Sequence, residues 1–142
     1  MKKITFFFFL LAVSFGYSQT VEVLEDFEGP APELALNNGM GSATIVDDPE
    51  TGGTRGQVLQ LITSAAGESW QQAELTMQND WMDLTPSKTV IVDVYSDSPF
   101  NMLAKLAGPE TAASPESATS DAHSGNGWQT LVFDFSTPED GT

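Results

Sequence analysis

The sequence predicts an all-β fold, a sandwich or barrel of short strands. Three observations carry this. No segment of the 142 residues sustains a helical period. Several short segments alternate apolar and polar residues instead. Each is bounded by Gly, Pro, Asn, Asp or Ser, the residues that turn a chain between strands.

Residues 1–18 stand apart from the fold. Lys2 and Lys3 make a basic start, and 4–13 is apolar with Phe6 to Phe9 in a row. Gly16 and Ser18 are small residues at the minus-three and minus-one positions of a cut before Gln19. That is the pattern of a secretory signal peptide. The apolar run is shorter than the about 20 residues a membrane span needs. No cysteine is present to carry a lipid or a disulfide. The expectation is export, cleavage near Ser18, and one secreted, cell-surface or periplasmic domain over 19–142.

Strands are predicted over 21–27, 42–46, 58–63, 71–77, 89–96, 100–106 and 129–136, with a weaker candidate at 117–122. Gly- and Pro-rich stretches at 29–32, 49–56 and 107–117 read as surface loops. The alternation also assigns faces. Val90, Val92 and Val94 point one way, and Ile91, Asp93 and Tyr95 the other. Met102, Ala104 and Leu106 oppose Asn101, Leu103 and Lys105. Ala73, Leu75 and Met77 point to the core, away from Trp70, Gln72, Glu74 and Thr76. Leu131, Phe133 and Phe135 are core, opposite Thr130, Val132 and Asp134. Residues 136–142, S-T-P-E-D-G-T, are turn chemistry directly after the most convincing strand. That ending would leave a strand edge unpaired, so the chain is expected to lack its last one or two strands.

Charge narrows the partners. The formal net charge is −15, from 20 acids against five Lys and Arg, and two of those five lie in the signal. Arg55, Lys88 and Lys105 are too few to bind nucleic acid, which needs clustered cations. Anionic membrane surfaces are disfavoured for the same reason.

Catalytic chemistry is sparse. The one histidine, His123, falls in the polar, Gly-containing stretch 120–127 and reads as a surface residue. There is no nucleophile elbow, P-loop or dinucleotide fingerprint. Glycoside hydrolysis needs two carboxylates. The acids here fall mostly in loops, at Asp47, Asp48, Glu50, Glu110 and Glu116. The chain is therefore not expected to be an enzyme by itself.

The aromatics make the positive case. Sugars present flat C–H faces to aromatic platforms with polar groups beside them. Trp70 and Tyr95 fall on the non-core side of their strands, with Gln72, Glu74, Asp93, Asn101 and Lys105. If those strands are neighbours, they make an aromatic floor with polar rims. Trp81 and Trp128 read as packing residues. Asp26 and Glu28, then Asp47, Asp48 and Glu50, supply some of the oxygens calcium takes, without EF-hand spacing.

The order of short motifs resembles a known module. It runs D-F-E (26–28), V-D-D-P (46–49), G-Q-V-L-Q-L (56–61), a Trp-containing strand, K-T-V-I-V-D-V-Y-S (88–96), a strand with Lys105, and W-Q-T-L-V-F-D-F-S (128–136). It is similar to the galactose-binding-like jelly-roll domains beside laminarinases and other family 16 glycoside hydrolases of marine Bacteroidetes, which are akin to family 4 carbohydrate-binding modules. The resemblance covers 24–136. It implies a jelly-roll β-sandwich that continues beyond Thr142, and a structural calcium with Glu28 as one ligand. The family 16 strand E-x-D-x-x-E is absent.

The expected function is non-catalytic binding of an extracellular, β-glucan-like polysaccharide, targeting a covalently linked downstream hydrolase. The expected sugar contacts are Trp70, Gln72, Asp93, Tyr95 and Lys105. Calcium, where present, would use Glu28 and Asp48. Nucleic acid and membrane insertion are not expected. Two alternatives stand beside this one: a piece of a glycoside hydrolase whose catalytic domain lies elsewhere, and a structural or adhesion module.

Overall fold

The computed structural model describes residues 23–76, 87–107 and 117–136. The signal peptide, Met77, Trp81, Glu110, Glu116 and the terminal turn lie outside them. The described residues are all-β. The strands are β1 Glu33–Asn37, β2 Ser42–Asp47, β3 Gln57–Ile62, β4 Gln72–Thr76, β5 Thr89–Ser96, β6 Phe100–Leu106, β7 Ser117–His123 and β8 Gly127–Asp134.

They form four antiparallel ladders, β1–β4, β2–β3, β5–β8 and β6–β7. In each half of the chain an inner hairpin is nested inside an outer pair. The registers bring Leu36 opposite Ala73, Ile45 opposite Leu59, Val92 opposite Leu131, and Ala104 opposite Thr119. The folding unit is therefore a sandwich of nested hairpins rather than a continuous meander.

The core lies between the two ladders of the second half. Leu131, Phe133 and Phe135 are buried there, with Val90, Val92, Val94, Met102, Ala104 and Leu106 packed against them. These are the inward positions that alternation predicts for β5, β6 and β8, because a strand's side chains switch faces at every residue. Beyond β8, the Phe135 N–H still donates to the Lys88 carbonyl at 2.7 Å.

β7 and β8 are joined by side chains. Asp121 accepts the Val132 N–H at 2.9 Å, and Gln129 Nε2 donates to the Ala122 carbonyl at 3.1 Å. The hairpin thus passes from one ladder to the other, and polar side chains meet backbone groups that a continuous sheet would have paired.

Several expectations are corrected. Residues 23–27 of the first predicted strand are not a strand. The Glu25 carboxylate accepts the Phe27 N–H, and Asp26 accepts the Glu28 N–H. Phe27 sits at φ 60°. Acidic side chains that bond their own backbone compete with a ladder. The first strand among the described residues, Glu33–Asn37, reads E-L-A-L-N and carries no strand preference of its own. Pairing with β4 makes it one, as tertiary context commonly does. Leu75 is 37% exposed rather than core.

The β1–β2 connection is a tight turn. Asn38 and Gly39 are both left-handed, at φ 56° and 77°, and the Met40 N–H donates to the Asn37 carbonyl at 3.1 Å. Asn-Gly suits this pair of angles. A Cβ on Gly39 would also stand 2.7 Å from the Gly67 Cα.

His123 overturns its surface reading. It is 2% exposed and stacks on Phe100 with ring centroids 5.3 Å apart. Its Nδ1 accepts the Gly125 N–H at 2.9 Å, which leaves the proton on Nε2. Nε2 then faces the carbonyls of Val94 and Gly127, at 3.1 and 3.0 Å. The ring fills the corner where the β7–β8 turn meets β5, and its polar atoms make its burial tolerable.

Candidate functional site

The expected sugar contacts do not share one sheet. β4, β5 and β6 each pair with a different partner, so the single aromatic floor is replaced by two surfaces.

The first lies on β1 and β4. Trp70 is in the turn leading into β4 and is 65% exposed, a large apolar area left open to water. Two residues on, Gln72 Nε2 donates to Glu74 Oε1 at 2.7 Å. Asn37 Nδ2, across the ladder, donates to the same oxygen at 2.9 Å. The result is a row of amide and carboxylate groups that begins two residues after an exposed indole.

The second lies on the outer face of β5 and β8, where Asp93 pairs with Thr130 and Tyr95 with Trp128. The Tyr95 ring meets Trp128 edge-on, at 5.6 Å and 71°. Arg55, from the β2–β3 loop, crosses this face. Its guanidinium lies 4.4 Å over the Trp128 ring centre and pairs with Asp93 Oδ2. The Thr130 hydroxyl donates to Asp93 Oδ1. Lys105 sits exposed on β6, opposite Ala118 of β7, so it belongs to a different ladder.

Asp48 ties the loop to this face. Its Oδ1 accepts the Glu50 N–H at 3.0 Å and the Trp128 Nε1–H at 3.2 Å, and its Oδ2 accepts the Arg55 N–H at 3.1 Å. A side chain at Gly53 would collide with that carboxylate. Asp48 and Glu28 also line one open cavity of about 500 Å³, with Asp47, Glu50 and the glycines of the loop. Glu28 Oε1 accepts the Gln57 N–H. Both carboxylates are thus engaged by N–H donors. Among the described residues no group of three or more His, Cys, Asp or Glu is placed to hold a metal.

Hydrogen bonds tune these acids. The Glu50 N–H, then those of Arg55 and Trp128 and the Arg55 charge, hold the Asp48 carboxyl below the usual 3.8, against desolvation. The Thr130 hydroxyl, then Arg55, does the same for Asp93. Backbone N–H groups of Val132 and Ala122 lower Asp121. The bond to Asp97 pushes the Tyr95 phenol up. A carboxyl with a depressed folded pKa contributes stability that is present above its unfolded value and lost as pH falls through the folded one. The expected result is stability that is flat from about pH 7 to about pH 5 and declines below about pH 4. Urea midpoints measured across that range check it, and Asp48→Asn is expected to shallow the acid limb.

Arg55 and Thr130 escape a reading by alternation, because one sits in a loop and the other is an ordinary strand threonine. A signal existed for Arg55: it is the only arginine in a strongly acidic chain.

The ladders define this chain as an all-β protein of sandwich type. No family model, curated protein or solved structure matches it. Among the described residues no helix is long and apolar enough to cross a membrane.

Proposed function

We propose that this chain is an exported, non-catalytic polysaccharide-binding module of the galactose-binding-like jelly-roll kind. It would take a neutral, β-glucan-like chain and hold a covalently attached hydrolase near it, raising the local concentration of substrate. The observation that carries the proposal is Trp70, open to solvent two residues before the Gln72–Glu74–Asn37 row. A rigid exposed ring and, from two residues on, a row of amide and carboxylate groups offer the two kinds of contact a sugar takes, at its apolar face and at its ring hydroxyls. Asp93 and Tyr95 supply a second set of contacts on β5, and Lys105 a cation on β6. Calcium at Glu28 and Asp48 is a separate element of the proposal. Those carboxylates keep lone pairs beyond the N–H groups they accept, and no sugar contact depends on the metal.

The test is affinity electrophoresis in gels containing laminarin, with barley β-glucan and xylan as comparisons. Trp70→Ala is expected to weaken laminarin binding about tenfold, the effect of losing a ring contact worth about 1.4 kcal/mol. Equal retardation of variant and wild type removes Trp70 from the site. No retardation of wild type by any glycan leaves the structural or adhesion reading.

A further inference from the structure

We infer that Arg55 is a displaceable strap, and that Trp128 beneath it is a second sugar platform which opens when the guanidinium leaves. This rests on the polysaccharide-binding reading above and assigns it a residue that controls access.

The guanidinium lies 4.4 Å over the centre of the Trp128 ring, where the apolar face of a sugar would stack. Its other tie is the ion pair to Asp93, and both side chains are about two-fifths exposed, at 42% and 43%. Exposed ion pairs contribute little and break at low cost. Trp128 is half-buried, and a cation over a ring still open to water on one side contributes less than a fully desolvated pair does. The strap is therefore held by two contacts of modest strength.

Its anchor is firmer. Asp48 Oδ2 holds the backbone N–H of Arg55, so the side chain swings while the loop stays in place. The ring also keeps its position without Arg55. Its Nε1–H is held by Asp48, and its edge contact with Tyr95 is set by the cross-strand register.

Departure of Arg55 releases two groups together, the indole face it covers on half-buried Trp128 and Asp93 Oδ2. Thr130 keeps Asp93 oriented through the other oxygen. A fixed ring with a fixed acceptor at its side is the pairing a sugar recognises through stacked C–H groups and a donated hydroxyl. Asp48, Glu50 and Asp97 all act on Tyr95 of this face, so the surroundings carry negative charge. Such a face disfavours uronic or sulfated sugars and accepts an uncharged glycan.

The experiment is ¹⁹F NMR of 5-fluorotryptophan-labelled protein titrated with laminarin. The chain holds three tryptophans, so three resonances are assigned by substitution of Trp70 and Trp81. Arg55→Ala is expected to bind laminarin about threefold to tenfold more tightly than wild type at low salt, read from the Trp128 resonance. Wild type needs no variant for the second measurement. Raising sodium chloride from about 0.01 to about 1 M cuts the Debye length from about 30 to about 3 Å. Wild-type affinity at Trp128 should then rise, while that of Arg55→Ala stays flat, since laminarin carries no charge. Equal or weaker binding by Arg55→Ala overturns the strap. A shift of the Trp70 resonance alone, in both proteins, also overturns it and leaves the polysaccharide reading intact. No shift of any resonance in any form, with laminarin or with the barley β-glucan and xylan of the gel test, removes the polysaccharide reading and the strap with it.

Discussion

Phe133→Ala is expected to lower the stability of the folded chain by about 3–5 kcal/mol, the cost of emptying a phenylalanine site in a packed core. Phe133 is fully buried and lies with Leu131 and Phe135 at the centre of the only buried hydrophobic cluster among the described residues. It faces Val90 across the β5–β8 ladder. The residues packed around it are mostly partly exposed, so few others can take over its contribution. Since folded domains are stable by only about 5–15 kcal/mol, one such loss is a large fraction of the whole. Urea unfolding followed by far-ultraviolet circular dichroism measures it. Val132→Ala, one residue away on the half-exposed outer face, is the control and should cost much less. Comparable losses at 132 and 133 would mean that the inward–outward assignment of β8 is wrong.

His123→Phe is expected to cost about 2–4 kcal/mol, although phenylalanine preserves the ring and its stacking on Phe100. The variant removes the acceptor for the Gly125 N–H and the donor shared by the Val94 and Gly127 carbonyls. A buried backbone group stripped of its partner costs about 1–3 kcal/mol. The Gly125 region cannot easily adjust: it is left-handed at φ 81°, and a Cβ there would stand 2.5 Å from the Pro99 nitrogen. Hydrogen exchange gives the second readout. The Gly125 amide should lose protection in His123→Phe more than the amides of β6 do. A variant as stable as wild type would mean that the imidazole is a space-filler and its hydrogen bonds carry nothing.

The two losses contrast in how visible they were. Phe133 is legible from L-V-F-D-F alone, because alternation at period two places it inside whatever the neighbouring strand is. His123 is not legible that way. It ends a run of small and polar residues, S-A-T-S-D-A-H, which carries no hydrophobic signal. Its burial follows from the nested hairpin, which folds the β7–β8 turn onto the end of β5.

The candidate site divides along the same line. The sequence placed Asp93 and Tyr95 on one face of β5 and Gln72 on the non-core side of β4; Trp70, expected on that same strand face, lies instead in the turn before β4. Those assignments depend on local geometry, which a strand carries with it. It could not say which strands are neighbours. Pairing between distant segments is decided by total apolar burial and by satisfaction of backbone hydrogen bonds over the whole chain.

What the sequence determined by itself is the all-β character, six of the eight strands in clear form, a seventh in weak form, and the inward residues of the second half. Each of these is written in a window of a few residues. What only the tertiary structure decided is the division of one expected aromatic face into two, the burial of His123, and the laying of Arg55 across Trp128. Each of these needs residues tens of positions apart, and the separation of Arg55 from Asp93 by 38 positions is typical. A side chain's direction is set by its own backbone, whereas its partner is set by the path of the entire chain.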